Sequence, residues 1–435
     1  MSDARTLPEK SFDVVVVGGG TSGMFAAMSA ARQGLTVALV EASGMLGGTL
    51  TQVTLGGICG AWTEENRHQV VHGMFDELVH AMRKDGACEG LYTYGQNTAL
   101  PYDPVRLRSV LDRMLPDNVS LFLHSRVYDV TVEDKAITRL EAAGPEGAYA
   151  LRCRVCIDGT GNALLADLAG APTRRGDNGV VQAASSMFRV AGVEADPRKR
   201  DVRAEIKAVI EEHNRSSGED GVFRRSTVAV YVHPNERLLH FNATRIHPSA
   251  AVHDRIDAAR DLTRVEQEGR AEAYRLIGLL KSKLDGFQGA DIVDMGSSVG
   301  IRDSRNVVNS APLTEDMIRA AHKPDNAVAY TPWPIEIHRS EAATHWEHLG
   351  GDRYYGIPYD CMLPEGLDNL LVVGRAISST PLAQASCRVT APCMQMGESA
   401  GRAAGMLLGD SARKSFHELS SQRYLEVPLA AGDPS

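Results

Sequence analysis

The chain has 435 residues, 43% of them hydrophobic, and a formal net charge of −9 with no acidic or basic tail. That length allows a large core divided between two domains, and the absence of a concentrated positive stretch argues against nucleic acid as a partner. No apolar run approaches membrane-spanning length and the first ten residues lack the apolar core of a signal sequence, so a soluble, cytoplasmic protein with no membrane partner is expected.

The most specific signal comes first in the chain. Residues 14–17 are all valine, an unbroken apolar run suited to a parallel strand buried on both faces, and Gly18, Gly20 and Gly23 follow in G-x-G-x-x-G spacing. Lacking Cβ atoms, these glycines permit a tight turn, a close backbone approach to a pyrophosphate and close helix–strand packing. Gly23 opens a helix through Phe25, Ala26, Ala27, Ala30 and Ala31, whose N-terminal amides can face phosphates. A second strand, 37–40, ends at Glu41, an acid able to accept from ribose hydroxyls. A dinucleotide is the expected ligand.

Gly47-Gly48-Thr49 is either a second close passage of backbone along an extended cofactor or a flexible loop. Residues 74–82 and 104–115 have helical spacing, and 119–130 and 136–140 read as neighbouring strands. The strand 151–158 runs into Gly159-Thr160-Gly161, and 370–373 repeats the arrangement at Gly374-Arg375. Three strand-to-glycine crossings spread over the chain suit a domain interrupted by an insertion. Strand-like stretches at 183–190, 226–232 and 238–245 follow the turn at 176–179. Thr263 and Glu266 read as a capping box opening a long amphipathic helix through Ala273, Leu276, Ile277 and Leu280, a roof over the cofactor pocket. In the final helix Pro392 suits the first turn, and Gly397, Gly401 and Gly405 recur on one face as a seam for close backbone packing.

The stretches 41–49 (EASGMLGGT), 157–161 (IDGTG), 299–305 (VGIRDSR) and 356–375 (GIPYDCMLPEGLDNLLVVGR) resemble the FAD-dependent oxidoreductase family with the two-dinucleotide-binding-domain architecture of the glutathione reductase and fumarate reductase flavoproteins. The resemblance implies an α/β fold, a Rossmann-like FAD-binding domain interrupted by an α+β substrate or cap domain. The corresponding divisions are 1–180 and 356–415 for the FAD-binding domain, 181–355 for the insertion and 416–435 for a C-terminal tail. It implies FAD along Gly18, Gly20, Thr21, Ser22, Gly23, Glu41, Ala42, Gly47, Gly48 and Thr49, with Val127 beside the adenine. Asp158, Gly159, Gly161, Arg302, Gly374, Arg375, Arg388 and Gly397 complete the implied cofactor set. Arg375 departs from the acid that many broader relatives carry after the equivalent glycine. The N-terminus of the final helix is expected near the flavin pyrimidine edge, where its amides would stabilise negative charge.

Seven irregularly spaced cysteines do not form a secreted disulfide scaffold, and the 14 scattered histidines suggest no metal site. Cys153 and Cys156 lie three apart in a strand whose alternation directs them to opposite faces, which favours a structural pair of thiols or simple core packing over a redox disulfide. Cys59, in Gly56-Gly57-Ile58-Cys59-Gly60, either lines the flavin pocket or is a buried thiol. Arg302 offers a planar pair of donors to a carboxylate or oxyanion, though it or Arg305 could instead form a domain–domain ion pair with Asp303 or another acid. His338 is the first candidate for proton transfer, against a purely structural hydrogen bond, and Tyr354 and Tyr359 could hold substrate or pack beneath the returning strand. Three functions stay open: an FAD-dependent dehydrogenase or reductase of a small polar substrate, carboxylates being one candidate class, using an unidentified electron acceptor or donor; an aromatic monooxygenase; and a non-enzymatic electron-transfer or assembly protein. A homo-oligomer is compatible with each.

Overall fold

The computed structural model describes residues 7–197, 199–218, 221–234, 238–249, 252, 254–338 and 344–425, so residues 1–6 and the part of the expected tail at 426–435 lie outside the described residues. The valine run closes β1 (Glu9–Val17) and is buried on both faces, as a central parallel strand requires. It passes through the glycine turn into α1 (Thr21–Arg32), and β2 (Val37–Val40) returns parallel to β1, Val14 opposite Val37. An excursion follows through β3 (Gly57–Cys59), α2 (Met74–Lys84), β4 (Tyr92–Tyr94), β5 (Asn97–Pro101) and α3 (Pro104–Met114), with β3, β5 and β4 forming a small antiparallel sheet. α3 begins with proline behind Asp103, whose carboxylate accepts from the Val105 and Arg106 amides.

The main sheet resumes with β6 (Val119–Phe122), β7 (Arg126–Glu133), β8 (Ala136–Gly144) and β9 (Gly147–Asp158). After α4 (Leu164–Leu168) and β10 (Thr173–Arg175), the chain leaves for β11 (Met187–Ala191), α5 (Val202–Ser216), β12 (Ala229–Val232), β13 (Leu238–Asn242), α6 (Arg255–Lys283) and β14 (Asp291–Met295). This insertion builds an antiparallel sheet in the order β12-β13-β11-β14 with its own core, where Phe188 stacks on Phe241 at 5.3 Å. The chain returns through β15 (Arg305–Val307), which pairs with β10, then α7 (Glu315–Arg319), β16 (Ala327–Thr331), the hairpin β17 (Ile335–Ile337) and β18 (His345–Glu347), and β19 (Tyr355–Pro358). Finally β20 (Leu370–Val372) lies parallel to β9, Leu370 opposite Cys156, before α8 (Pro381–Cys387) and α9 (Thr390–Gly409). The seven-stranded main sheet has the order β6-β2-β1-β9-β8-β7, with β20 as the further partner of β9. The result is a Rossmann-like α/β domain interrupted by β-rich sub-domains.

The glycine seam of α9 packs on α1. A Cβ at Gly397 would overlap the Ser22 carbonyl, one at Gly401 would stand 2.6 Å from Ala26 O, and one at Gly405 would meet Gln33. Only glycine lets the two helices approach this closely.

Two local expectations are corrected. α6 starts eight residues before Thr263: Asp254 caps it by accepting from the Ile256 and Asp257 amides, while Thr263 sits inside and donates its hydroxyl to Ala259 O. A strong cap upstream overrides a pattern that also fits a helix interior. Cys153 and Cys156 do not diverge, because their sulfurs lie 3.0 Å apart. β9 leaves β8 after Arg152 and takes up β20 at Cys156, and both thiols come together across this change of partner.

Candidate active site

A cavity of about 450 Å³ lies where β1, β2 and β9 end, the position at which open α/β sheets bind ligands. Its first wall is the glycine turn. Gly18 has φ +96°, and a Cβ there would press within 2.6 Å of the Gly159 backbone, so two glycine loops touch where side chains would hold them apart. Gly23 is equally constrained, since its Cβ would overlap the Gly18 carbonyl. Gly20 differs: it lines the cavity, and its Cβ would find nothing nearer than Gly159 O at 4.0 Å. α1 starts there with no side-chain cap and no acid in its first turn, leaving its positive end toward the cavity at Thr21 and Ser22.

Glu41 lines the cavity beside Ala42, Ser125, Arg126 and Val127. One of its oxygens accepts from the Gly19 amide at 2.7 Å and the other from the Ser43 amide at 2.7 Å. Gly48 and Thr49 reach the cavity, whereas Gly47 does not. Gly47 has φ +98° and donates its amide to Gly19 O at 2.8 Å, tying the second glycine loop to the first. Asp158 is also off the cavity. It organises the next turn by accepting from the Thr160 amide at 3.0 Å, the Thr160 hydroxyl at 2.5 Å and the Leu165 amide at 2.7 Å, and burial raises its pKa despite these bonds. The turn it supports presents Gly159, Thr160 and Gly161 to the cavity, joined by Gly374 and Arg375. Arg375 donates to Gly161 O at 2.6 Å and to Ile301 O, binding the Rossmann-like unit to the loop that carries Arg302, and burial pushes its pKa down to about 10.

The remaining wall is polar and cationic. Arg302 donates to Ala183 O at 2.7 Å and to Asn242 Oδ1 at 3.4 Å, while Arg225 shares that same Asn242 oxygen at 2.7 Å. Burial, then the charges of Arg225 and Arg388, hold the Arg302 pKa well below its ordinary value. The backbone of Arg302 is fixed by Gln384, which donates to its carbonyl at 2.7 Å. Arg388 lines the same space, with Nη2 3.6 Å from Glu336 Oε2, and its buried Nε has no hydrogen-bond partner among the described residues. Glu336, Trp333, Tyr231, Cys59 and Thr390 complete this wall. Arg305 takes the ion pair instead, with Asp167.

His338 stands behind this wall rather than on it, 2% exposed, with Nε2 2.8 Å from Glu336 Oε1. Burial, then Arg302, keeps its pKa well below the ordinary imidazole value. Burial alone would raise Glu336, but His338, Arg388 and Arg302 outweigh it and hold the carboxyl below the usual range. The two tyrosines lie elsewhere. Tyr354 packs edge-on against Tyr330 at 5.8 Å under Lys323, and Tyr359 donates to Phe416 O at 3.0 Å and stacks on Tyr424. Gly397 faces α1, while Thr390 and Cys393 of the same helix reach the cavity. Sequence reading passed over Glu336, although the alternation of β17 places it on the same side as His338. It also passed over Asn242, Tyr231 and Trp333, which only the insertion's folding brings to the wall. Among the described residues, no group of three His, Cys, Asp or Glu side chains is placed to hold a metal.

The model of the family described as FAD dependent oxidoreductase matches residues 13–423. The chain belongs to the FAD dependent oxidoreductase family. Its fold is therefore an FAD-binding, oxidoreductase-type enzyme fold, and no helix among the described residues is long and apolar enough to cross a membrane. Glutathione reductase of Schizosaccharomyces pombe is 58% identical over 40 residues, a stretch that makes up 9% of each chain. Solved structures with a similar trace include a geranylgeranyl bacteriochlorophyll reductase-like protein of Thermoplasma acidophilum, at 13% identity over 96% of this chain and 84% of that one, with TM-score 0.47. A myxobacterial chondrochloren halogenase is similar at 13% identity over 93% and 77%, TM-score 0.48, and p-nitrophenol 4-monooxygenase of Pseudomonas putida at 13% over 95% and 87%, TM-score 0.41. Likenesses this distant do not bear on this family member's reaction.

Proposed function

We propose that this chain is an FAD-dependent dehydrogenase or reductase, on a two-dinucleotide-binding-domain plan, acting on a small organic substrate that bears a carboxylate. FAD suits the donors present. The open space beyond Gly20 and the uncapped start of α1 would take the pyrophosphate, and Glu41 retains lone pairs for ribose hydroxyls. The backbone at Val127 would lie beside the adenine, and the first turn of α9, with Thr390, would face the flavin. When bound, the flavin supplies the two-electron chemistry.

The observation that carries the substrate class is Arg302. Its guanidinium is buried at the cavity wall, and its hydrogen bonds go to carbonyl oxygens rather than to a carboxylate. The charge of Glu336 acts on it, but the guanidiniums of Arg225, Arg388 and Arg245 act against it, so the cluster keeps a demand for a further anion, and a planar fork meets a carboxylate with two parallel hydrogen bonds. Arg388 stands on the same wall to share the charge. These residues bind and orient the substrate, while Trp333 and Tyr231 exclude water from one side.

The same two aromatic faces favour a second reading, an aromatic monooxygenase, because they suit a flat ring. Anaerobic mixing of the yellow protein with a panel of carboxylic acids separates the two. Flavin bleaching without oxygen supports the dehydrogenase, and product that gains labelled oxygen only when a nicotinamide reductant is present supports the monooxygenase. Reduction by a protein partner alone would overturn both, and release of no FAD from the native protein would overturn the cofactor.

A further inference from the structure

We infer that Glu336 is the group that accepts the substrate proton, that His338 positions it from behind, and that capture of a substrate carboxylate by Arg302 and Arg388 makes Glu336 basic enough to act. The inference rests on the carboxylate reading above.

The sequence of β17 sets the geometry. Ile335 and Ile337 turn into the main core, so Glu336 turns the other way and reaches the cavity. His338 Nδ1 lies 3.4 Å from Arg245 Nη2 and 3.4 Å from Thr344 Oγ1. A guanidinium nitrogen can only donate, so Nδ1 holds the lone pair and the ring proton sits on Nε2, donated to Glu336 Oε1. A second proton would have to enter facing Arg245, which keeps the ring neutral. The ring's backbone is pinned as well, by its amide to Gln182 Oε1 at 3.2 Å and its carbonyl to the Ala183 amide at 3.0 Å. His338 is therefore a positioning residue and a donor, not a base. Among the described residues the contacts of the other carboxylate oxygen, Oε2, are long, Trp333 Nε1 at 3.3 Å and Arg388 Nη2 at 3.6 Å, so it retains lone pairs toward the cavity.

The proton balance follows. Oxidation of an alcohol or amine carbon breaks its C–H bond, the pair leaving as hydride for the flavin. The O–H or N–H bond breaks with its electrons forming C=O or C=N, and the freed proton passes to Glu336 Oε2. Without an anion His338, which donates to it, and the guanidiniums of Arg388 and Arg302 hold Glu336 ionised and weakly basic. A bound carboxylate neutralises Arg302 and Arg388 and adds its own negative charge beside Glu336. Both changes raise its proton affinity toward or above that of an ordinary glutamate, about 4.3.

Benzoate, a carboxylate that flavin does not oxidise, tests this on the FAD-loaded protein. Calorimetric titration at pH 5 in two carboxylate-free buffers of different ionisation enthalpy counts the protons taken up on binding. The expected result is net proton uptake in the wild type, and in Glu336→Gln only the small release from the benzoic acid fraction of the probe, with benzoate still bound. His338→Leu should move the pH midpoint of uptake upward, and His338→Gln, whose amide can donate, should bring it back. If Glu336→Gln does not fold, infrared difference spectra of the wild type with 13C-labelled benzoate should show a new protonated carboxyl band. Binding that depends on Arg302 but brings neither uptake nor the new band overturns the role of Glu336 alone. Failure of benzoate to bind, or binding unchanged in Arg302→Gln, overturns the carboxylate reading and this inference with it.

Discussion

His338 Nε2 stands 2.8 Å from Glu336 Oε1, and it is the carboxylate, not the imidazole, that lines the cavity. A histidine chosen from sequence for its near-neutral pKa thus loses that property on burial, while its acidic neighbour two positions earlier gains the exposed place. Arg302 and Arg388 share a cavity wall with the carboxylate of Glu336, so in the reaction proposed above anion binding and proton transfer would belong to one electrostatic unit.

Substitution of Arg302 by lysine should separate charge from shape. Lysine keeps the positive charge but cannot hold both Ala183 O and Asn242 Oδ1 while gripping a carboxylate. Loss of one charge-assisted hydrogen bond is worth about 1.5–3 kcal/mol, so substrate affinity should fall about ten- to a hundredfold with FAD content unchanged. Anaerobic flavin reduction as a function of substrate concentration measures it, and an unchanged half-saturation would remove Arg302 from the substrate site.

The glycines of the first turn should divide into two classes. Gly20→Val places its side chain in open cavity space, so the protein should fold at near wild-type stability and be isolated without FAD. Gly23→Ala drives a Cβ into the Gly18 carbonyl, so it should lower the melting temperature of the apoprotein itself. Thermal unfolding and absorbance spectra of both variants decide the matter. Equal effects on stability would show that Gly20 is structural too.

Much of the main domain was legible because its signals are local. The valine run, the glycine spacing, Glu41 and the returning 370–373 strand each announce a backbone geometry that the neighbouring residues must satisfy. The polar, cationic wall of the cavity was not legible to the same degree. Arg302, Asn242, Glu336 and Arg388 come from four separate stretches of chain, and nothing in the spacing of such residues encodes which of them meet. Tyr354 and Tyr359 illustrate the converse, since one precedes the motif-rich 356–375 stretch and the other lies within it, yet they find their partners in Lys323 and Tyr424, away from the cavity. The capping pattern at Thr263 failed for a third reason: capping residues are also tolerated inside helices, and Asp254 had the stronger claim.

The α1–α9 contact should be intolerant of even one methyl group. Gly401→Ala would press a Cβ to 2.5 Å from Ser29 Cβ and 2.6 Å from Ala26 O, both on rigid helix. Overpacking of this kind costs about 1–3 kcal/mol, and α1 also carries the phosphate-facing turn, so FAD affinity should fall together with stability. Gly409→Ala, whose Cβ would meet nothing within 4 Å, is the control on the same helix and should be neutral or slightly stabilising. Melting temperatures and FAD titration of the two variants provide the comparison, and equal behaviour would dismiss the seam.

Acid sensitivity should trace in part to His240. Its ring lies beside Tyr231 and against Gly56, where an added Cβ would come within 2.6 Å, and burial, then Arg189 and His233, push its pKa down to about 3. In the unfolded chain the ring titrates near 6.5, so below that pH the unfolded state binds a proton that the folded state refuses. Stability therefore falls as pH drops from about 6.5 toward 3, and at pH 5 the penalty from this one residue is about 2 kcal/mol. His240→Gln removes the titration and should flatten the pH dependence of the melting temperature between pH 7 and pH 5, even if its stability at pH 7 is lower. Parallel curves for variant and wild type would show that the acid sensitivity arises elsewhere, with His338, also held neutral by burial, as the next residue to substitute.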